Sequence, residues 1–230
     1  MDPSTYGDRI ADVYDEWYDG ATDVDGTVAM VARYGSTVLE LGIGTGRLAV
    51  PMLDAGLRVT GIDASEKMVD RLRAKVGDRI PVVIADYVDV PVEGTFDVAL
   101  LAFNAIVVLL TPDDQVRCLP RCGEVAATVV VETFVPGDAA PPSAVSVRDV
   151  SPDEVHLTAY KTVDGVVTGN VVSITESGIR LRPWRVRPTT PDDLDAIAAR
   201  AGLTRVARWS GWREEPFGAD SDRCVTVYRR

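Results

Sequence analysis

Short apolar runs alternate with amphipathic segments from residue 36 to residue 135 of the chain. Apolar runs of about four to eight residues, bounded by turn residues, are typical of strands that are buried on both faces. The pattern predicts strands over residues 36–41, 57–62, 80–85, 95–102 and 125–132. Helical periodicity fills the intervals, as in residues 46–55 and 65–76. Strand alternating with helix predicts a mostly parallel sheet with helices on both faces.

The pattern changes after residue 137, where Pro141-Pro142 opens a region in which apolar and polar residues alternate. Alternation with a period of two predicts strands that are covered on one face only. Two hairpin turn signals, Asp164-Gly165 and Ser177-Gly178, separate these runs. We therefore predict an antiparallel insertion with strands over residues 144–150, 155–162, 166–176 and 178–186.

The two ends of the chain complete this α/β arrangement. Helices are predicted over residues 8–19 and 26–34, before the first strand. A helix with an acidic first turn begins at Pro191 and ends at Gly202. The last strands are predicted over residues 203–210 and 223–229. We expect one α/β domain over residues 1–230, made of a helical cap (1–35), a core (36–135), the insertion (138–190) and a C-terminal helix with two strands (191–230).

Composition narrows the classes of function. The chain has 230 residues, of which 46% are hydrophobic, and its apolar runs are shorter than the roughly 18 residues of a membrane span. A formal net charge of −11 disfavours nucleic acid as a partner and leaves a small molecule as the expected substrate. The start, Met1-Asp2-Pro3-Ser4, lacks the features of a signal peptide. Three cysteines, an odd number, suit a reducing cytoplasm, which is the expected location.

The same cysteines argue against a metal site. Cys118 and Cys122 lie four residues apart on one face of a predicted helix, and the chain has a single histidine, His156. These residues cannot complete the four-ligand set of a structural zinc site. We therefore expect no metal.

A glycine turn follows the first predicted strand, in the sequence Glu40-Leu-Gly-Ile-Gly-Thr-Gly-Arg47. Glycines at Gly42, Gly44 and Gly46 allow a tight turn and a close approach of the backbone to a ligand. The spacing is GxGxG, so it differs from the GxGxxG of dinucleotide-binding proteins, and no P-loop lysine follows. Asp63 ends the next strand, 21 residues after Gly42 in the sequence. At this spacing an acid can accept hydrogen bonds from the ribose hydroxyls of a nucleotide.

This turn and the acid that follows it resemble motif I of the class I methyltransferases that use S-adenosylmethionine (SAM). The resemblance covers about residues 36–135 and implies a Rossmann-like seven-stranded sheet with SAM as the cofactor and S-adenosylhomocysteine as the product. It implies that Glu40 lies near the methionine ammonium of SAM. It also implies that a further group of residues lines the cofactor: Asp63 with Ala64, Met68, Asp86 with Tyr87, and Phe103.

The segment before the turn resembles a narrower group. Residues 11–18 have the arrangement AD-x-YD-x-x-Y, similar to small-molecule methyltransferases that include N-methyltransferases of amino sugars in natural-product pathways. In that group the last tyrosine, Tyr18 here, approaches the methionine end of SAM. Tyr14 shares its helix face. The chain departs from the family before the fifth strand, where a Pro-Gly-Gly turn is absent and the neighbouring helix is left undetermined.

Two residues are the candidates for work on the acceptor. The resemblance places Asn104 near the reacting methyl group and the acceptor. Glu132 ends the predicted fifth strand, just after Val129-Val-Val, where it could accept a proton or bind an ammonium group. An amine acceptor must be neutral when it attacks, whereas a hydroxyl acceptor benefits from a general base. We expect N-methylation, with O-methylation, SAM binding without transfer, and NAD-dependent oxidation as the alternatives.

The insertion is the candidate for contacts with the acceptor or with a second subunit. Arginines alternate along its last strand at Arg180, Arg182, Arg185 and Arg187, where a solvated face is the simpler interpretation and an anionic acceptor the functional one. An exposed strand edge also invites pairing with another chain. We therefore expect the insertion to shape an acceptor pocket, a homodimer interface, or both.

Overall fold

The structure of the protein is a computed structural model that describes residues 2–137 and 142–230. Met1 of the predicted start lies outside these residues. The first four positions of the predicted insertion, 138–141, which include Pro141, lie outside them as well. Three helices come first: α1 (Thr5–Ile10), α2 (Tyr14–Trp17) and α3 (Val24–Ala32). The single helix predicted over residues 8–19 is therefore wrong. The chain leaves the helical conformation at Val13, between α1 and α2.

A seven-stranded sheet forms the centre of the molecule and confirms the predicted fold class. The strand order is β10-β11-β5-β4-β1-β2-β3, and β11 runs antiparallel to both of its neighbours. The strands are β1 (Thr37–Leu41), β2 (Arg58–Asp63), β3 (Val82–Ile84), β4 (Phe96–Leu101), β5 (Ala126–Phe134), β10 (Thr204–Trp209) and β11 (Arg223–Arg229). The strand order reverses between β1 and β4, and ligands of such sheets bind beyond the carboxyl ends at this point.

Helices cover both faces of this sheet, so its strands carry apolar residues on both sides. Leu39 and Leu101 belong to one core cluster, and Val38 and Leu100 belong to the other. The covering helices are α4 (Ala49–Asp54), α5 (Glu66–Val76), α6 (Ala105–Val108), α7 (Pro112–Val125) and α8 (Pro191–Arg200). This double burial explains the continuous apolar runs of the sequence.

Helix α7 settles the segment that the missing Pro-Gly-Gly turn left undetermined. Thr111 caps its first turn by accepting a hydrogen bond from the Asp114 amide, and Pro112 occupies a position where a proline is tolerated. Pro120 lies inside the helix, which continues to Val125. The buried cysteines Cys118 and Cys122 anchor its inner face in the core.

The insertion forms a second sheet, as predicted, in the order β6-β7-β8-β9. All of its pairings are antiparallel, between β6 (Ser143–Val150), β7 (Glu154–Val163), β8 (Val166–Thr175) and β9 (Gly178–Val186). Asp164 and Gly165 turn between β7 and β8 with φ angles of 51° and 74°, as the Asp-Gly signal predicts.

Candidate cofactor-binding site

The glycine turn after β1 opens at the carboxyl edge of the sheet. Gly42, Gly44 and Gly46 have φ angles of 75°, 57° and 79°, a region that favours glycine. A Cβ at Gly46 would lie 2.3 Å from Leu72 of α5, so this glycine allows close packing of the turn. At Gly42 and Gly44 the nearest atoms lie 3.6 Å and 3.9 Å away. These two glycines therefore face space into which a ligand could approach the backbone.

Asp63, at the end of β2, is bound to this turn. Its carboxylate accepts hydrogen bonds from the amides of Gly44 and Ser65, each at 2.8 Å. Burial raises the pKa of Asp63, and these backbone hydrogen bonds oppose the shift. A carboxylate has about four acceptor positions, so two backbone donors leave room for the hydroxyls of a ligand. Ala64 follows it in the chain and is half-buried.

Glu40 and Arg47 are an acidic and a basic side chain, and each has a buried atom without a hydrogen-bond partner among the described residues. Glu40 is 5% exposed, and burial raises its pKa to about 8, against the opposing charge of Arg47. Among residues 2–137 and 142–230, no donor reaches Glu40 Oε2 and no acceptor reaches Arg47 Nε. A ligand that carries both an ammonium and a carboxylate group would satisfy both atoms.

The helical cap contributes a cluster of aromatic rings above Arg47. The ring centroids of Tyr14 and Tyr18 are 4.8 Å apart, and that of Phe103 is 5.2 Å from Tyr18. The Arg47 guanidinium carbon lies 4.2 Å from the Phe103 centroid, a cation–π distance. Tyr18 Oη shares a hydrogen bond of 2.8 Å with Tyr6 Oη. Burial raises the pKa of Tyr14 to about 12, so this phenol stays protonated at neutral pH.

Three contacts that the sequence reasoning missed hold the cap to the turn. Asp15 accepts a hydrogen bond from Thr45 Oγ1 at 2.5 Å and pairs with Lys75 at 2.7 Å. A Cβ at Gly7 would lie 2.6 Å from Ser65 Cβ, so α1 passes close to the start of α5. The signal for these contacts in the sequence is Asp15, the second aspartate of the AD-x-YD arrangement.

Glu132 and Asn104, the two candidates for work on the acceptor, both form hydrogen bonds that hold the loop after β4 against neighbouring elements. Glu132 is 2% exposed, and it accepts hydrogen bonds from the Phe103 amide at 2.6 Å and from Trp212 Nε1 at 3.1 Å. Arg223 lies 3.3 Å from the same carboxylate. Asn104 Oδ1 accepts a hydrogen bond from the Phe134 amide at 2.7 Å. Both side chains therefore hold the loop that positions the Phe103 ring.

The remaining predicted residues are spread around the turn. Tyr87 borders it, because its ring lies 3.6 Å from the Cβ position of Gly42, and its hydroxyl donates to the Ala105 carbonyl at 2.9 Å. Asp86 is exposed and accepts a hydrogen bond from the Val88 amide. Met68 is buried between α5 and the cap, in a cluster that includes Ile10.

His156 lies in the insertion, on β7. Its ring contacts Glu154, shares a hydrogen bond of 3.0 Å with Ser173, and meets the Trp17 ring edge-on. In the part of the chain that the structure describes, no group of three or more His, Cys, Asp or Glu side chains could hold a metal ion. No helix in that part has the length and apolar content to cross a bilayer.

The chain is similar to known methyltransferases in sequence. A methyltransferase domain family matches residues 38–128. The cypemycin N-terminal methyltransferase of Streptomyces is 32% identical over 123 residues, which are 51% of this chain and 50% of that protein. The chain thus matches about half the length of this curated relative.

Two solved structures share the whole architecture. The CcbJ methyltransferase from Streptomyces caelestis is 35% identical over all of this chain and 99% of its own, with a TM-score of 0.92. SAM-bound CalS10, an amino pentose methyltransferase from Micromonospora echinaspora, shares the fold with a TM-score of 0.74 at 18% identity, over 95% of this chain and 97% of its own. The match to CcbJ covers both sheets and the cap, and the glycine turn fits the cofactor of this family. The chain belongs to the S-adenosylmethionine-dependent methyltransferases.

Proposed function

We propose that the protein transfers a methyl group from SAM to an amine nitrogen of a small natural-product intermediate. The observation that carries the cofactor assignment is the pair of buried atoms without hydrogen-bond partners beside the glycine turn, Glu40 Oε2 and Arg47 Nε. Glu40 Oε2 would accept a hydrogen bond from the ammonium of the methionine end, and Arg47 Nε would donate one to its carboxylate. Asp63 has acceptor capacity left for the ribose hydroxyls.

When bound, SAM supplies a methyl group on a sulfonium cation, which is a good leaving group. The contribution of the chain is alignment and the exclusion of water. Tyr14, Tyr18 and Phe103 form an apolar wall above the turn. Glu132 and Asn104 keep the Phe103 loop in its left-handed conformation, with φ angles of 49° and 68° at Phe103 and Asn104.

An amine acceptor is supported by the engagement of Glu132, the candidate proton acceptor, and of His156, the single histidine of the chain. Glu132 already accepts two hydrogen bonds, and His156 contacts Glu154 and Ser173. A hydroxyl acceptor would need a general base with free capacity, whereas an amine that has lost its proton to solvent can attack without one. The names of similar proteins point the same way, since they include the cypemycin N-terminal methyltransferase and an amino pentose methyltransferase.

Calorimetry with SAM, S-adenosylhomocysteine and NAD tests the cofactor assignment. We expect both SAM-related ligands to bind, NAD not to bind, and Asp63→Ala to weaken binding about a hundredfold, because the variant loses charge-assisted hydrogen bonds. Asp70→Ala is the matched control, since Asp70 is an exposed residue of α5 in an ion pair with Arg73. Binding of NAD alone would contradict the assignment.

Transfer of a labelled methyl group to paired acceptors tests the reaction. Each pair consists of an amino sugar or an N-terminal peptide amine and the analogue in which a hydroxyl replaces the amine. We expect label on the amine of at least one pair and none on its hydroxyl analogue. Label on hydroxyls alone would establish O-methylation instead. SAM binding without transfer to any acceptor would leave the proposed amine specificity without support.

A further inference from the structure

Trp212 lies in the loop between β10 and β11, and its indole ring is buried. The side chain is 3% exposed and belongs to the core cluster that contains Val130 and Val225. Its Nε1 atom donates a hydrogen bond of 3.1 Å to Glu132 Oε1. The other oxygen of that carboxylate, Oε2, accepts the hydrogen bond from the Phe103 amide. One carboxylate therefore connects the indole of Trp212 to the backbone of Phe103.

Packing alone does not account for this pair of buried polar groups. A buried carboxylate is costly unless hydrogen bonds compensate its lost hydration, and an apolar side chain of similar size would fill the same space at less cost. Glu132 also lies 3.3 Å from Arg223, and its backbone carbonyl accepts a hydrogen bond of 3.2 Å from the Asn104 amide. Donors from three elements therefore meet at this residue: the loop after β4, the loop between β10 and β11, and β11.

The loop that Glu132 holds is in a conformation that its residues disfavour. Phe103 and Asn104 have φ angles of 49° and 68°, in the left-handed region that is unfavourable for residues other than glycine. Such a conformation persists only where surrounding contacts fix it. The bond from the Phe103 amide to Glu132 is one of these contacts, and the bond from Trp212 fixes the carboxylate in turn. Loss of either bond would let the loop relax.

The Phe103 ring contacts a residue of the cofactor site. Its centroid lies 4.2 Å from the Arg47 guanidinium carbon and 5.2 Å from the Tyr18 centroid. In the proposed function, Arg47 binds the carboxylate of SAM. A ring that moved would uncover one face of this guanidinium and open the apolar wall above the glycine turn.

The loop that carries Trp212 is also fixed to the helical cap. The Arg213 guanidinium donates two hydrogen bonds to the Asp23 carboxylate, at 2.5 Å and 2.9 Å. The residue before Asp23 is Thr22, whose hydroxyl accepts a hydrogen bond of 2.7 Å from the Arg47 guanidinium. The loop therefore reaches Arg47 by two routes, the ring contact described above and the start of α3.

We propose that Trp212 is a positioning residue for methyl transfer, which holds the Phe103 ring against Arg47 through Glu132. The inference rests on the proposed function, because that function gives Arg47 the carboxylate of SAM as its partner. Residues that act on a ligand through other residues change its affinity by roughly two- to thirtyfold when they are substituted.

Calorimetric titration with S-adenosylhomocysteine tests this proposal without knowledge of the acceptor. Trp212→Phe keeps an aromatic ring in the core and removes the N–H donor, so we expect binding to weaken about tenfold. Trp209→Phe is the matched control, and we expect it to bind like the wild type. Trp209 is a half-buried residue of β10 that packs against the same core cluster, and it lies outside the hydrogen bonds of Glu132 in the described part of the chain.

Phe103→Ala tests the route of the effect. It removes the ring at the end of the chain of contacts, so Trp212→Phe should weaken binding by less than about twofold in that background. A further tenfold loss would show that Trp212 acts by another path, and would overturn the proposal. Binding by Trp212→Phe equal to that of the wild type would overturn it as well.

A second variant keeps the test decisive if Trp212→Phe does not fold. The analogue 3-benzothienylalanine at position 212 has the shape of tryptophan and replaces the N–H group by sulfur, and we expect the same loss of affinity. Wild-type affinity in this variant would overturn the proposal alone. A wild type that does not bind S-adenosylhomocysteine would contradict the proposed function, and this inference with it.

Discussion

The two sheets of this protein differ in how they are covered, and the difference separates stability from recognition. The seven-stranded sheet is buried on both faces by helices, and its central strands contain fully buried side chains such as Leu100. The insertion contacts the cap on the face that carries Arg180 and Arg182, and its opposite face carries exposed apolar residues such as Ile179 and Leu181. The first sheet therefore supplies the core that holds the glycine turn. The second sheet supplies an exposed surface.

Both sheets also carry a buried charged group with an unpartnered atom among the described residues. In the first sheet this group is Glu40, which lies beside Arg47, and in the insertion it is Arg182. Glu40 lies beside the unpartnered Nε atom of Arg47, at a glycine turn with open space next to Gly42 and Gly44. Arg182 instead stacks on the Trp17 ring. An unmet polar atom therefore indicates a ligand only where the surrounding geometry leaves room for one.

The largest expected effect is a difference in stability between substitutions in the two sheets. Leu100→Ala in β4 should lower the free energy of unfolding by about 2–5 kcal/mol, because it leaves a cavity in a closed core. Leu181→Ala in the insertion should cost less than about 1 kcal/mol, because Leu181 is 52% exposed. Urea unfolding of both variants measures the two costs. Equal costs would contradict the exposure of Leu181.

Glu40→Gln should stabilise the free protein at high pH. The pKa of Glu40 is raised to about 8 from 4.5, so the folded state holds a proton that the unfolded state releases between these values. Stability therefore falls as pH rises from 4.5 to about 8. At pH 9 the glutamine variant should be more stable by about 2–4 kcal/mol, measured by urea unfolding.

The same substitution should weaken the binding of SAM and change its dependence on pH. Only the ionised Glu40 carboxylate pairs with the ammonium of the ligand, so its contribution to affinity grows by about tenfold or more from pH 6 to pH 8. Calorimetry should show this increment in the wild type and in the control Glu66→Gln, and not in Glu40→Gln. An identical pH profile for Glu40→Gln and the wild type would remove Glu40 from the cofactor site.

Glu132→Gln separates a positioning role from a catalytic one. The amide keeps one oxygen, so its NH2 group would face either the Phe103 amide or Trp212 Nε1, which bind different oxygens of Glu132. This donor–donor contact should lower the free energy of unfolding by about 1–3 kcal/mol. We expect a raised KM and an unchanged pH profile of kcat, because Glu132 acts through the Phe103 loop. Glu124→Gln, at an exposed ion pair with Arg121, is the control. A shifted pH profile of kcat would show that Glu132 accepts the proton.

The smallest expected effect concerns Arg182, on the face of the insertion that contacts the cap. Arg182→Met keeps an unbranched chain against Trp17 and removes a desolvated charge that no ion pair compensates in the described residues. We expect the free energy of unfolding to stay within about 1 kcal/mol of the wild type, or to increase. A loss of several kcal/mol in urea unfolding would show that this charge is part of a stabilising network.

Much of the fold was predictable from local patterns. Strands buried on both faces appear as apolar runs, and the five predicted central strands agree with the structure to within a few residues. The Asp-Gly signal predicted the turn at Asp164 because few residues adopt its left-handed conformation. The glycine turn could be read for a similar reason, since Gly42 and Gly44 serve a backbone geometry that other residues disfavour.

The single helix predicted over residues 8–19 was wrong because its break depends on distant contacts. Gly7 packs on Ser65 and Asp15 binds Thr45, and these two anchors bend the cap at Val13. Helix propensity within this short segment carries no information about either anchor.

The sequence by itself determined which residues alternate, where the chain turns and which strand ends in a glycine turn, because these depend on neighbours along the chain. The tertiary structure alone decided which face of the insertion the cap covers, and that Glu132 binds the Phe103 amide. Alternation assigns residues to two faces without saying which one is inside. That choice, like the partners of a buried carboxylate, depends on packing between residues far apart in the sequence.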